Sequence, residues 1–108
     1  MNDFQYQKMF RIRFTDRSVW NEFKEDIKTI MQENKIHFQY SEKTPTFFVF
    51  YKSNAIKIRV FWEGETLLFV LQAENTLDSE QIAACKDIYD LLILFEGELI
   101  DGNPPYDW

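Results

Sequence analysis

Residues 55–73 read AIKIRVFWEGETLLFVLQA, two apolar runs on either side of Glu63-Gly64. Such runs around a glycine-containing pair predict two strands joined by a tight hairpin, because glycine tolerates the positive φ of a two-residue turn. The preceding run TFFVFYK, residues 46–52, predicts a third strand, joined to the second through Ser53-Asn54. Together the three runs predict a meander of antiparallel strands.

The two turns also predict a register whose consistency can be checked. A two-residue loop at Ser53-Asn54 pairs Val49 with Ile58, and a loop at Glu63-Gly64 pairs Ile58 with Phe69. Both pairings place branched and aromatic side chains on the same face of the sheet. Two independent turn assignments therefore predict one apolar surface, which other elements must cover.

Two further strands are predicted outside the meander. Residues 9–14 and residues 36–40 each alternate apolar with polar side chains, and this period of two places one set inside and the other outside. The outward positions include Arg11 and Arg13 in the first of these strands and His37 in the second.

Two amphipathic helices are predicted to cover the apolar surface. Residues 17–34 carry apolar positions at helical spacing, and Asp16 or Ser18 can accept hydrogen bonds from the amides of the first turn. A second helix is predicted to begin at Asp78, which can cap it, and to stop near Gly97.

The resulting order, β-α-β-β-β-β-α, predicts an α+β fold with a mostly antiparallel five-stranded sheet and two helices packed on one face. We assign residues 1–100 to a single domain of this kind. Residues 101–108, DGNPPYDW, are predicted to form an extended C-terminal tail rich in proline and aromatic residues. Its Tyr106 and Trp108 are then available to dock on an apolar surface, in the same chain or in another.

The sheet face turned away from the helices combines apolar and basic residues. A contiguous exposed apolar patch usually marks an interface, so we take this face as the candidate site. The candidate partner-interface residues are Phe48, Phe50, Phe61, Leu68, Val70, Lys57 and Arg59. Arg11, Arg13 and His37 are possible ligand contacts if the outer strands keep their phase.

Three explanations of this face are compatible with the sequence. The first is that part of the same chain covers it, either the aromatic ends or a more wrapped arrangement of the helices. The second is a homodimer or another protein partner, since aromatic and arginine side chains are favoured at interfaces. The third is single-stranded nucleic acid or another anionic ligand, whose bases would stack on phenylalanine and whose phosphates would meet the basic residues.

The charge of the chain is unevenly distributed around its net value of −6. Residues 43–62 carry four bases and no acid, whereas residues 63–108 carry eleven acids and one base, Lys86. An acidic total argues against nucleic acid as the main partner, but the basic segment leaves that partner open. The single cysteine is compatible with a reducing compartment, and no apolar run approaches the roughly 18–20 residues that span a membrane. We therefore expect a cytoplasmic protein.

No arrangement of nucleophile, base and orienting group is recognisable. His37 is the only histidine and lies on a predicted strand, which excludes a site with two histidines. Cys85 falls on the apolar stripe of the second helix, which predicts a buried and inert thiol. The three glycines, at positions 64, 97 and 102, form no phosphate-binding loop. We therefore predict a protein that is not an enzyme and that holds neither cofactor nor metal.

Residues 103–106, Asn-Pro-Pro-Tyr, resemble the catalytic tetrapeptide of the amino-group methyltransferases that act on adenine in DNA. In that family the tetrapeptide follows a strand of a doubly wound sheet and works with a glycine-containing cofactor motif on another strand. This sequence has neither the βαβ alternation nor that motif, so we assign it to no family.

The sequence as a whole predicts a small binding module of the accessory, regulatory or inhibitor-like kind, of bacterial or phage type. We expect it to act through the aromatic sheet face as a homodimer. The alternative is single-stranded nucleic acid or an anionic ligand on the same basic and aromatic face. The order of the strands in the sheet is not predicted by these patterns.

Overall fold

The computed structural model describes residues 6–40, 47–51, 56–73 and 79–108, with side chains except at positions 6, 37–40, 47–51, 56 and 80. This part of the chain contains β1 (Tyr6–Arg13), α1 (Trp20–Glu33), β2 (Ile36–Tyr40), β3 (Phe47–Tyr51), β4 (Ile56–Glu63), β5 (Thr66–Ala73), α2 (Ser79–Leu94) and β6 (Glu98–Gly102). The predicted α+β class, with an antiparallel sheet and two helices, is confirmed. Neither of the described helices is long and apolar enough to cross a membrane.

The described strands form one six-stranded sheet in the order β2-β3-β4-β5-β1-β6, and every neighbouring pair is antiparallel. The number of strands differs from the predicted five because β6 pairs with β1 at the edge of the sheet. Its register shifts between Arg11 and Ile12 of β1, the mark of a β-bulge. The bulge adds one residue, Ile100, to β6, so this strand does not alternate strictly between apolar and polar residues. A search for such alternation therefore does not predict it.

The hairpin between β4 and β5 has its turn one residue later than predicted. Glu63 pairs with Thr66, so the two loop residues are Gly64 and Glu65, and Ile58 pairs with Leu71 rather than with Phe69. Gly64 has a φ of 62°, as the first position of a type II′ turn requires. The shift moves each partner by two residues and therefore leaves the same side chains on the same face. The turn predicted at residues 53–54 lies outside the described residues.

Both helices pack against the same face of the sheet. The core contains Phe10 and Phe69 from the sheet, Phe23 from α1 and Ile88 from α2, all fully buried. The rings of Phe10 and Phe69 stack with their centroids 4.7 Å apart, and Tyr89 of α2 meets Phe10 edge-on at 5.3 Å. Aromatic rings from three elements thus join the sheet to its helical layer.

The first helix is present, but α1 begins at Trp20, three residues later than predicted, and the Asp16 cap belongs to the 3-10 helix before it. The Asp16 carboxylate accepts a hydrogen bond of 2.9 Å from the Ser18 amide, and a 3-10 helix at Arg17–Val19 leads into α1. This backbone hydrogen bond lowers the pKa of Asp16, because it favours the charged carboxylate. The predicted cap of the second helix, Asp78, lies outside the described residues.

Residues 101–108 are folded onto the domain and do not form the predicted extended tail. β6 runs through the predicted boundary at residue 101, and a 3-10 helix follows at Pro105–Asp107. Pro105 is buried, and the Trp108 ring lies 6.2 Å from the rings of both Phe10 and Phe69. The segment therefore closes the gap between the sheet and α2, because its aromatic residues complete the core there.

We expect Gly97→Ala to lower the free energy of unfolding by about 2 kcal/mol, the usual cost of overpacking a core. A Cβ atom at this position would clash with Ile12 Cγ2 and lie 2.8 Å from the Leu92 carbonyl oxygen. Gly64→Asn is the matched control, because its Cβ meets nothing within 4 Å and asparagine tolerates a positive φ. Urea denaturation of both variants measures the difference, and equal losses would contradict this packing.

Candidate functional site

The candidate site is the sheet face turned away from α1 and α2, called the open face below. Ile58 and Val60 of β4 are fully buried in the core, so the residues between and beside them project to the opposite side. The register of β4, β5, β1 and β6 arranges the open face in four rows across the sheet. The rows are Lys57, Gln72 and Gln7; Arg59, Val70 and Met9; Phe61, Leu68, Arg11 and Asp101; and Glu63, Thr66, Arg13 and Glu98.

These rows bring most of the predicted site residues together. The turn predicted at Glu63-Gly64 would set Arg59 beside Leu68 and Lys57 beside Val70. Because the turn lies one residue later, Arg59 lies beside Val70 and Lys57 beside Gln72. The position of β1 next to β5 places Arg11 and Arg13 on the open face, as expected if the first strand lies near the hairpins.

The apolar centre of the open face is better covered than the sequence suggests. Leu68 and Val70 are each only 7% exposed, although neither helix lies over them. Their neighbours Phe61 and Arg59 are half-buried. In this register the Phe61 ring lies beside Leu68, and the aliphatic part of the Arg59 side chain lies beside Val70. The exposed surface is therefore formed mainly by the long side chains around the centre, with the aliphatic groups beneath them.

Arg59 is the most unusual side chain of the open face. Its guanidinium carbon lies 5.7 Å from the centre of the Phe61 ring, within the range of a cation–π contact. Its Nε is buried and has no hydrogen-bond partner among the described residues. A buried donor of a charged group that makes no hydrogen bond is costly, so such a group usually has a function or a missing partner.

The two arginines of β1 are in a different state, because each is paired with a carboxylate. Arg11 donates to Glu63 at 2.8 Å and to the Thr66 hydroxyl at 3.1 Å. Arg13 donates to Glu98 at 2.9 Å, and both partners are largely exposed. Glu63 and Glu98 thus neutralise the two arginines of β1, whereas Arg59 has no ion pair among the described residues.

Charged residues of both signs lie on the strands that border the centre of the open face. Lys57 and Arg59 lie on β4, whereas Glu98 and Asp101 lie three strands away on β6. One carboxylate oxygen of Asp101 accepts a hydrogen bond of 2.9 Å from the Gly102 amide. Both signs therefore occur on each side of the apolar centre, because Glu63 shares β4 with Lys57 and Arg59, and Arg13 lies beside Glu98.

Three of the predicted residues are defined only through their backbone. Phe48 pairs with Arg59 and Phe50 pairs with Lys57 in the register of β3 and β4, as predicted. His37 pairs with Phe50 in the register of β2 and β3. The side chains of Phe48, Phe50 and His37 lie outside the described residues.

Tyr106 and Trp108 do not lie on the open face. The C-terminal aromatic residues therefore do not cover it, which was part of the first explanation given for that face. The Trp108 indole donates to the Asn103 carbonyl oxygen at 2.8 Å and packs on the core side of the sheet. The Tyr106 hydroxyl donates to Asp90 of α2 at 2.5 Å, and Lys86 lies 5.1 Å above the Tyr106 ring. The Asn-Pro-Pro-Tyr segment therefore has a structural role in this chain, at the junction of α2 and the sheet.

Cys85 lies in the core with 1% of its surface exposed, and burial raises the pKa of its thiol. At neutral pH the thiol is protonated and is not a nucleophile. Within the described ranges no three His, Cys, Asp or Glu side chains are grouped to hold a metal ion. Shallow clefts beside Phe14 and Thr15 have acidic walls that include Glu22, Glu65 and Glu96.

The chain matches no protein-family model, no curated protein and no solved structure.

We expect Arg59→Met to change the free energy of unfolding by less than about 1 kcal/mol, because methionine keeps the apolar stem and removes the unsatisfied donor. Arg59→Ser should destabilise the chain more, since it uncovers Val70. Thermal unfolding of the two variants gives the comparison. A large loss in Arg59→Met would mean that the charged group itself stabilises the fold.

The hydrogen bond to Asp90 raises the pKa of Tyr106, since it holds the phenolic proton beside a carboxylate. The folded chain thus binds this proton more tightly, and the resulting stability is complete below the ordinary tyrosine pKa of about 10. It is lost as the pH rises through the folded value. Unfolding free energies measured across this pH range should fall, and they should fall less in Tyr106→Phe.

Proposed function

We propose that this chain is a non-catalytic protein-binding module that acts through its open face. The observation that carries the proposal is the half-buried Arg59, whose Nε lacks a hydrogen-bond partner among the described residues while its guanidinium lies over Phe61. Because Arg59 as a whole is only half-buried, a partner can reach its exposed part, and a shift of the side chain would then let the buried Nε meet an acceptor of that partner. The same contact would bury the ring beside it.

The surroundings of Arg59 support a protein as the partner. Leu68 and Val70 form an apolar centre beside it, and arginine and aromatic side chains around such a centre are typical of interface hot spots. The face spans several neighbouring strands, so a partner can cover several rows at once. A small polar ligand would leave most of this surface exposed.

Single-stranded nucleic acid is supported less well by the same contacts. Arg11 and Arg13 already bind Glu63 and Glu98, so phosphate binding there would have to break two ion pairs. Glu98 and Asp101 border the face on its β6 side and would repel a polyanion. The net charge of −6 opposes such a ligand at long range.

A photo-crosslinking amino acid at position 61 tests the proposal in cells that produce the chain. We expect protein adducts from this position, because Phe61 is half-buried on the open face beside Leu68. The matched control is position 94, since Leu94 is 77% exposed on α2 and reports chance encounters with the helical layer.

Adducts of similar yield at both positions, or none at position 61, would contradict a binding role for the open face. Nuclease-sensitive adducts at position 61 would instead favour nucleic acid. Arg59→Glu in the same chain should remove the specific adducts, because it replaces the cation that a partner's acceptor would meet.

A further inference from the structure

We infer that two copies of this chain associate through the outer edge of β2, with β2 of one copy pairing antiparallel with β2 of the other. The inference goes beyond the proposed function, because it concerns an edge of the sheet and not the open face. It is drawn from the difference between the two edges of the sheet, β6 and β2.

The edge formed by β6 is protected against pairing with a further strand. β6 lies next to a bulge in its pairing with β1, and its Glu98 and Asp101 are exposed carboxylates. The Gly102 amide donates to the Asp101 carboxylate, so this donor is not offered to another strand. Pro104 and Pro105 follow shortly after the strand and have no amide proton to donate. Bulges, charges and prolines of this kind keep sheet edges from associating.

The edge formed by β2 has none of these features. β2, Ile36–Tyr40, contains no Asp, Glu, Lys, Arg or Pro, and it pairs with β3 over its whole length without a shift in register. No strand of the described residues pairs with its outer side. An uninterrupted edge strand presents a row of main-chain N–H and C=O groups to a further strand. Of the two edges, β2 is therefore the one that suits a partner strand.

The protection of β6 favours β2 of a second copy as that strand. Pairing of β2 with β6 of another copy would continue without closing, and the protected β6 edge opposes it. Pairing of β2 with β2 is isologous and closes at two copies. The antiparallel form has its two-fold axis perpendicular to the sheet, so it leaves the helices of both copies on one side. All described strand pairs of the sheet are antiparallel as well.

Symmetry and strand length determine the register of this pair. Residues opposite each other in an antiparallel ladder lie on the same face, so the axis can pair only positions that differ by an even number. Among these registers, the one centred on Phe38 pairs every residue of β2. It sets Ile36 opposite Tyr40 and His37 opposite Gln39, which opposes no like charges at neutral pH. Pairs of aromatic with β-branched residues stabilise such ladders.

Main-chain hydrogen bonds hold this dimer together. A ladder of two five-residue strands forms about four to six of them, because alternate pairs exchange two bonds each. So short a ladder buries less surface than a permanent interface, and we therefore expect a reversible dimer whose population rises with concentration.

A charge exchange at positions 37 and 39 tests the inference. His37→Glu with Gln39→Glu opposes two carboxylates at each of these pairs, and His37→Lys with Gln39→Lys opposes two ammonium groups. We expect each double variant to self-associate about tenfold more weakly than the parent chain, because like charges directly opposite each other destabilise a ladder. An equimolar mixture should recover a 1:1 dimer, since its pairs join opposite charges.

His37→Glu with Gln39→Lys tests the register. In the register centred on Phe38 each of these pairs joins opposite charges, so this variant should dimerise at least as strongly as the parent chain. A register centred on position 37 or on position 39 would oppose like charges instead. A weaker dimer in this variant would therefore contradict the register.

Sedimentation velocity over a range of concentrations measures the self-association, and native mass spectrometry with one variant isotope-labelled identifies the mixed dimer. Hydrogen exchange locates the contact, because amides of β2 should exchange more slowly as the concentration rises and those of β6 should not change. Ala83→Glu with Leu94→Glu is the matched control. It adds two carboxylates at exposed positions of α2 and should leave the dimer unchanged.

A parent chain that stays monomeric at high concentration would overturn the inference, and so would a dimer that the like-charged variants leave intact. Failure of the mixture to recover would overturn it as well. Exchange in β2 that is slow at every concentration would mean that the chain itself covers this edge. In each of these cases specific adducts of position 61 with another protein would still support the proposed function, because they do not depend on β2.

Discussion

The stacking of Phe10 on Phe69 is the interaction on which the rest of this structure depends. It fixes β1 beside β5, and the same Phe10 ring also receives Tyr89 of α2 and the indole of Trp108. Because side chains alternate along a strand, burying Phe10 on the helical side sends its neighbour Arg11 to the open face. The packing of the core therefore decides the chemistry of the opposite surface.

The arginines of the open face differ in their hydrogen bonding, and this difference bears on the function of that face. Arg11 gains two hydrogen bonds within the sheet, whereas the Nε of Arg59 gains none among the described residues, although it is buried. Folding alone gives no reason to keep a charged group in this state, because an apolar side chain of similar length would cover Val70 equally well. The binding role proposed for the open face would give such a reason.

The sequence patterns predicted some elements well and others poorly, for local physical reasons. The strand that contains Phe10 and the helix that follows Asp16 are visible because alternation and capping act between neighbouring residues. The sequence patterns did not predict β6, because the extra residue Ile100 at its bulge interrupts the alternation. Its pairing also depends on β1, which lies more than eighty residues earlier in the chain. The prediction of an exposed Leu68 was inaccurate because exposure depends on the stems of residues from other strands.

The sequence by itself determined the α+β class, the buried thiol of Cys85 and which side chains of β4 share a face. These follow from local periodicity, which a shift of two residues in the hairpin register leaves intact. Only the tertiary structure decided that β1 lies between β5 and β6, that Trp108 completes the core, and that Arg11 and Arg13 bind carboxylates while Arg59 binds none among the described residues. Such features depend on contacts between residues far apart in the chain, and no local pattern encodes them.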